Sequence, residues 1–215
     1  MSKPILYSYW RSSCSWRVRA ALSLKGIDYD YKAVNLVKAE QKADDYTKFN
    51  PAGMVPSLAI DGKTLTESLA IMEYLEETRP EHALLPKDAF DRATVRAICQ
   101  EIASGIQPIQ NLPILNHVGG GEKGQQWAHH FISNGFNVLE KMLSKTAGKY
   151  SFGDSVTIAD CCLVPQVYNA QRFKVDLASY PCIERVHSAL MDLDAFKKSH
   201  PSRQPDTPDA ERATD

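Results

Sequence analysis

Ser12, Ser13, Cys14 and Ser15 stand in one run, directly after Arg11 and directly before a helical pattern. Three hydroxyls and a thiol in such a place suit one kind of chemistry, the handling of an anion. The first N–H groups of a helix have no partner within it, and the helix dipole is positive there, so a bound anion is stabilised. An incoming thiolate would meet hydroxyl donors as well. Cys14 offers a different chemistry, because a cysteine at a helix start can ionise more readily and attack as a nucleophile. Simple capping of the helix by Ser13 or Ser15 explains the same residues without any function. A second helical pattern opens on Glu67-Ser68, again an acid and a hydroxyl side by side. Arg172 closes a third; it is either a cation at a helix end or a clamp for a carboxylate.

These residues need elements to hold them. Ile5-Leu6-Tyr7-Ser8-Tyr9 reads as a strand. Val18, Ala21 and Leu22 then share one helical face, Trp16, Ala20 and Leu24 share the next, and Gly26 is placed to stop the helix. Tyr29 to Val34 is a second strand, so the chain begins with a β-α-β unit whose strands run parallel. Ala39 to Lys48 is polar and predicts a short solvated helix or irregular turn. Pro56 sits where a third strand begins, and a trans bond is the default before it. Asp61-Gly62 signals a hairpin, Lys63 to Thr66 returns, and a helix capped by Thr66 or Ser68 runs until Pro80.

Arg79 to Pro86 is punctuated by prolines and reads as a linker. Strand patterns are missing after it. Phe90 to Val118 is helical, with Pro108 and Pro113 expected to break it near Gln107 and Asn111. Gly119 to Lys123 predicts a loop; it lacks the preceding strand and the G-K-[ST] ending of a phosphate loop. Gln126 to Ser144 is amphipathic. Thr157 with Asp160 three residues on is a capping signal for the next helix. Ile183 to Leu193 and Ala195 to Ser199 are the last helices. The polar, proline-rich end from Gln204 is expected at the surface, with its final residues disordered.

The chain has 215 residues, enough for one large domain or two small ones. A formal net charge of −1 gives no general attraction to nucleic acid or to an anionic membrane. No apolar run approaches the roughly 20 residues of a membrane span. The five cysteines, Cys14, Cys99, Cys161, Cys162 and Cys182, show no zinc spacing, and the six histidines are scattered, so no metal is expected. Reduced thiols and an opening with no room for a signal peptide predict a cytoplasmic protein.

The run SSCSWRVRAAL resembles the signature of the zeta class of glutathione transferases, whose best-known members are maleylacetoacetate isomerases. Further likeness lies in V-P followed by E-S, in GIQPIQN, in VTIADCCLVPQV and in the terminal PDTP. The resemblance implies an α/β plus all-α fold: a thioredoxin-like glutathione-binding domain over residues 1–80, a linker over 81–86, and an all-helical domain over 87–215. It implies glutathione as cofactor and a homodimer. It makes Pro56 a cis proline, with Val55 pairing with the cysteinyl unit of glutathione. Ser68 would take the γ-glutamyl carboxylate and Glu67 the ammonium. Ser12 would donate to the sulfur, assisted by Ser13 and Cys14. Ser15, Trp16, Arg17, Gln41, Gln107 and Asn111 are further candidate contacts. Arg11 and Arg172 would meet the carboxylates of a small dicarboxylate substrate.

The implied reaction is the cis–trans isomerisation of maleylacetoacetate to fumarylacetoacetate in phenylalanine and tyrosine breakdown. Rotation about a conjugated double bond is too slow thermally, and thiolate addition leaves a single bond that rotates before elimination. A thiol with a pKa of roughly 8.5 must be ionised for this. Lowering that pKa by about two units takes roughly 2.7 kcal/mol of selective thiolate stabilisation. Isomerisation of maleylpyruvate and attack on small α-haloacids would use the same site. A redox reaction at Cys14 and a non-catalytic interaction module are the other readings. The absence of C-x-x-C argues against the first, and the intact Ser12, Val55-Pro56 and Glu67-Ser68 against the second.

Overall fold

The computed structural model describes residues 3–214. They form two compact units, one of Met1–Ala83 with Asp194–Asp215, the other of Leu84–Leu193.

The first unit carries β1 (Ile5–Ser8), α1 (Ser13–Leu24), β2 (Asp30–Ala33), α2 (Asp44–Thr47), β3 (Ser57–Ile60), β4 (Lys63–Thr66) and α3 (Ser68–Thr78). Its sheet has four strands in the order β2-β1-β3-β4. β1 and β2 are parallel, with Leu6 opposite Tyr31, and β3 runs antiparallel to both β1 and β4. The parallel β-α-β unit and the hairpin are those the patterns predicted, and together they give the thioredoxin-like domain that the resemblance implied. Leu6 and Leu58 in the sheet, Val18 and Leu22 in α1, and Ile71 and Leu75 in α3 are fully buried. Gly26, at φ +66°, ends α1, and Asp61-Gly62 turns the hairpin with both residues at positive φ.

Helix α1 is buried on nearly every side, Arg17 and Arg19 included. It packs on α3 and also on α9 (Asp194–Ser199), at the far end of the chain. The indole Nε1 of Trp16 donates to Ser199 Oγ at 2.9 Å, and Arg19 Nε to Ser199 O at 3.1 Å. The C-terminal residues therefore belong to the first unit, not to the helical domain expected over 87–215. Nor is the segment after Gln204 merely a surface tail. Gln204 and Thr207 are buried, and the Gln204 amide donates to the carbonyls of Lys198 and His200. Polar composition misled here because these side chains bond to backbone rather than to water.

The second unit is helical: α4 (Ala89–Gln100), α5 (Leu112–His117), α6 (Gly121–Thr146), α7 (Ile158–Arg172) and α8 (Pro181–Met191). The proline-broken stretch is resolved in a specific way. A π-helical segment, Glu101–Ile106, continues α4, and Gln107 N–H bonds Ile102 O, five residues back, at 2.9 Å. Pro108, which has no N–H to offer, follows it. Helix α6 begins at Gly121, five residues before its apolar pattern, with Gly120 as N-cap. A Cβ at Gly135 would overlap Ile106, so the close approach of α6 to the π-helical segment needs glycine there. Helix α7 is buried along most of its length. At its start, the Asp160 carboxylate accepts from Thr157 N–H at 2.7 Å, from the Thr157 hydroxyl at 3.1 Å and from Ser151 N–H at 2.8 Å. Burial pushes the Asp160 carboxyl upward from its ordinary range, and these donors oppose that shift.

Candidate functional site

The site is assembled from loops of the first unit at the ends of β1, β3 and β4. Ser12, not Ser13 or Ser15, is the N-cap of α1, and its Oγ accepts from Ser15 N–H at 3.2 Å. Ser12 takes this role because its backbone is extended, φ −68° and ψ 116°, while Ser13 is already helical. A hydroxyl that accepts one hydrogen bond is a better donor for its own O–H. Ser12 and Cys14 are half-buried, and Ser13 is buried at the surface limit. The N–H groups of Ser13 and Cys14 have no acceptor within the helix.

The start of α3 is built differently. Glu67 is its N-cap at φ +66° and ψ 116°, and gives no side-chain cap. The capping expected from Thr66 or Ser68 is absent, because the chain turns at Glu67. A non-glycine residue in this region costs roughly 1–3 kcal/mol of backbone strain. The turn leaves Glu67 exposed and Ser68 buried. Ser68 Oγ accepts from Arg17 Nη1 at 3.1 Å. Arg17, itself 2% exposed, thus ties the two helix starts together.

Between them stands the Val55-Pro56 corner, whose peptide bond is cis. Val55 is buried with Tyr9, Trp10, Val34 and Tyr46. Its backbone N–H and C=O bond no other backbone group among the described residues. The corner is braced by residues that sequence reasoning passed over. Tyr46 O–H donates to Met54 O at 2.6 Å, and Asn50 Nδ2 donates to Met54 O at 2.8 Å and to Ser57 Oγ at 2.9 Å. Burial raises the Tyr46 phenol above its usual range, so it stays a donor. The signal available was N-P-A-G before the strand. Gly53, at φ +56°, lets the Gln41 carbonyl approach where a Cβ would stand 2.9 Å away. Gln41 Oε1 is buried with no hydrogen-bond partner among the described residues.

Three candidates are internal. Trp16 is 1% exposed with its indole on Ser199, and the Ser15 side chain is fully buried beneath the helix start. Their side chains build the fold, and only the Ser15 N–H reaches the cap. Arg17 acts through Ser68. Arg11 is half-buried with its guanidinium 5.2 Å from the Trp10 ring centre. In the second unit, Gln107 directly follows the π-helical segment, and Asn111 caps α5 by accepting from Leu112 N–H at 2.9 Å. Arg172 is exposed at the end of α7, 5.1 Å from the Phe173 ring centre. Gln110 lies buried beside Gln166 at 3.4 Å, an amide pair that nothing in the sequence pattern announced. Among the described residues no cluster of His, Cys, Asp and Glu could hold a metal, and no helix is long and apolar enough to cross a membrane.

Two family models match: glutathione S-transferase, N-terminal domain, over residues 11–78, and glutathione S-transferase, C-terminal domain, over residues 117–199. Maleylacetoacetate isomerase of Mus musculus is 59% identical over 208 residues, covering 96% of each chain. The holo structure of a bacterial maleyl pyruvate isomerase, a glutathione transferase in the zeta class, superposes with a TM-score of 0.92 at 44% identity, over 95% of this chain and 100% of that one. This chain belongs to the zeta class of glutathione transferases. A further structural neighbour is maleylacetoacetate isomerase from Anaeromyxobacter dehalogenans, solved with glutathione in its active site. It is 47% identical, with a TM-score of 0.88 over 96% of this chain and 98% of that one. The same enzyme was also solved with dicarboxyethyl glutathione and citrate. In the zeta-class frame, the pair of helix starts and the cis corner described above is the place to test for glutathione. The open helix start, the corner with bare backbone groups and the buried Gln41 amide oxygen without a partner among the described residues offer the polar donors and acceptors that a peptide such as glutathione needs.

Proposed function

We propose that the chain is a glutathione-dependent isomerase converting maleylacetoacetate to fumarylacetoacetate. The observation that carries this reading is the Ser12-capped helix start, joined through Arg17 and Ser68 to the strained start of α3. Bound glutathione supplies a thiolate that adds to the conjugated double bond and is expelled once the bond has rotated. Every other part falls to residues of this chain. Ser12 donates its hydroxyl proton to the sulfur, and the N–H groups of Ser13 and Cys14 add the positive end of α1. Val55 pairs through its backbone with the cysteinyl unit. Ser68 and the first N–H groups of α3 hold the γ-glutamyl carboxylate, Glu67 holds the ammonium, and Gln41 supplies an amide. Gln107 and Asn111 are assigned contacts by resemblance to the zeta class.

Two carboxylates on the substrate are costly to strip of water without partners. Arg11 and Arg172 are assigned to them, since a guanidinium binds a carboxylate bidentately. Arg172→Ala is expected to raise KM for maleylacetoacetate at least tenfold, about 1.4 kcal/mol, with glutathione affinity little changed. Wild-type KM and kcat in that variant would leave Arg172 as a helix-end cation only.

The relatives' names support the substrate, and a neighbour's site holds a glutathione that, by its name, carries a dicarboxyethyl group. A place in tyrosine and phenylalanine breakdown, a cytoplasmic location and a homodimer belong to the same proposal. Incubation with maleylacetoacetate, with and without glutathione, while following fumarylacetoacetate, tests it; no glutathione-dependent conversion ends it. Maleylpyruvate isomerisation is the second reading, favoured by the maleyl pyruvate isomerase neighbour. Running both substrates side by side separates them by kcat/KM.

A further inference from the structure

Four residues, Tyr9 to Ser12, join the end of β1 to the start of α1, and they lie outside any strand or helix. Their backbone is nevertheless held by long-range side chains at the Tyr9–Trp10 peptide and at the carbonyl after it. Trp10 N–H donates to Asp206 Oδ2 at 3.0 Å. The carbonyl of the same peptide group, Tyr9 O, accepts from Arg19 Nη1 at 3.3 Å and from Ser12 N–H at 3.0 Å. The next carbonyl, Trp10 O, accepts from Arg19 Nη2 at 3.0 Å. One peptide group is thus gripped by a carboxylate at its N–H and a guanidinium at its C=O. A group held this way in both directions cannot flip without breaking charge-assisted bonds.

Both grips are themselves anchored. Arg19 is fully buried, and its other bonds go to Ser8 Oγ at 3.1 Å and Ser199 O at 3.1 Å. These acceptors are uncharged; burial lowers the Arg19 pKa, and the Asp206 carboxylate is among the groups that oppose that shift. Such a placement is costly and buys arrangement rather than stability. The second oxygen of Asp206 accepts from Tyr31 O–H at 2.6 Å. Burial keeps the Tyr31 phenol protonated, and therefore a donor, well above its ordinary range. Asp206 is flanked by buried Gln204 and Thr207, and Thr207 Oγ1 donates to Pro201 O at 2.5 Å. The C-terminal segment thus reaches back across 196 positions to the loop that presents Ser12.

We propose that Asp206, with Arg19, is a positioning residue for the reaction: it fixes the Tyr9–Trp10 peptide and so the place of the Ser12 hydroxyl. The inference rests on the isomerase reading above, with Ser12 as donor to the sulfur. A displacement of about 1 Å at a reacting group can cost on the order of a hundredfold in rate.

The experiment compares Asp206→Ala, Asp206→Asn and Tyr31→Phe in the full chain. Glutathione affinity is read by calorimetry, and isomerisation by kcat and KM. Asp206→Ala is expected to lose about 30-fold in kcat, within the range a misplaced group produces, with glutathione affinity changed less than about twofold. Asp206→Asn keeps an acceptor for Trp10 N–H and should recover most of the loss. Tyr31→Phe leaves that bond in place and should lose less than about threefold. If Asp206→Ala does not fold, the split between kcat and affinity is read from Asp206→Asn against Tyr31→Phe, with Asn the slower. Wild-type kcat in Asp206→Ala, an Asp206→Asn enzyme no slower than Tyr31→Phe where Ala does not fold, or equal loss of kcat and glutathione affinity, overturns the proposal. An unsubstituted chain without glutathione-dependent isomerisation overturns the functional reading instead, so the two failures are distinct.

Discussion

Helices α1 and α7 both begin with a hydroxyl residue in extended conformation, yet their starts are finished in opposite ways. At α7, Asp160 closes the first turn and reaches out to Ser151, so its donors end on one buried carboxylate. At α1, Ser12 satisfies one N–H and no acid follows in the first turn. The first arrangement spends its polar groups on itself and can only hold the fold. The second leaves donors pointing away from the helix, which is what an anion needs. Sequence spacing separates the two, since T-x-x-D closes a box and S-S-C-S does not.

The comparison breaks most readily at Asp160. Asp160→Ala strands three donors in a buried place, each at about 1–3 kcal/mol. We expect a loss of about 3–5 kcal/mol in urea unfolding, with glutathione affinity of the folded protein unchanged. A drop in affinity without a drop in stability would assign the closed start a part in binding after all. Ser12→Ala should do the reverse. Loss of the cap costs about 1 kcal/mol of stability, whereas loss of the donor to the sulfur should lower kcat about a hundredfold, ~2.7 kcal/mol. Stopped-flow isomerisation with saturating glutathione reads this directly. Near wild-type kcat would move the donor role to Ser13 or Cys14.

A smaller effect is expected where the second helix start meets the first. Ser68→Ala removes the acceptor of the Arg17 bond and the proposed hydroxyl contact to the γ-glutamyl carboxylate. Glutathione should bind more weakly by about 2 kcal/mol, since the lost bond is to a charged group. Calorimetry with unchanged affinity would reduce Ser68 to a brace for Arg17.

What was legible in the sequence follows the same division. Capping boxes, the Asp61-Gly62 hairpin and the Gly26 stop are local and depend on a few neighbours, so patterns reveal them. The Ser12 cap was missed by one residue, because hydroxyls stand at several successive positions and only the turn of the chain chooses among them. The buried role of Trp16, and the return of the C-terminal segment onto α1, depend on Ser199 and Asp206 meeting residues more than 180 positions away. No periodicity encodes that. The π-helical segment before Pro108 was visible only as a break, since a proline says that a ladder stops but not how the preceding turn widens. The cis corner was supplied by family resemblance, while its support from Tyr46 and Asn50 was not, because Tyr46 lies in the stretch read as a solvated helix or turn and Asn50 follows just beyond it.

Glu67 offers the finest test, because one substitution should move stability and binding in opposite directions. At φ +66° and ψ 116° Glu67 holds a conformation that its side chain makes costlier than it would be for glycine. Glu67→Gly removes that strain, while the more flexible unfolded chain takes back part of the gain. A net stabilisation of about 0.5–1 kcal/mol is expected in urea unfolding. The same change removes the exposed carboxylate assigned to the ammonium of glutathione, so affinity should fall several-fold. Glu67→Ala serves as the control, for it loses the carboxylate and keeps the strain. If both variants bind glutathione as the wild type does, Glu67 is not part of the site. If Gly alone binds weakly while Ala does not, the strained backbone, not the carboxylate, is what aligns the first N–H groups of α3 on the ligand.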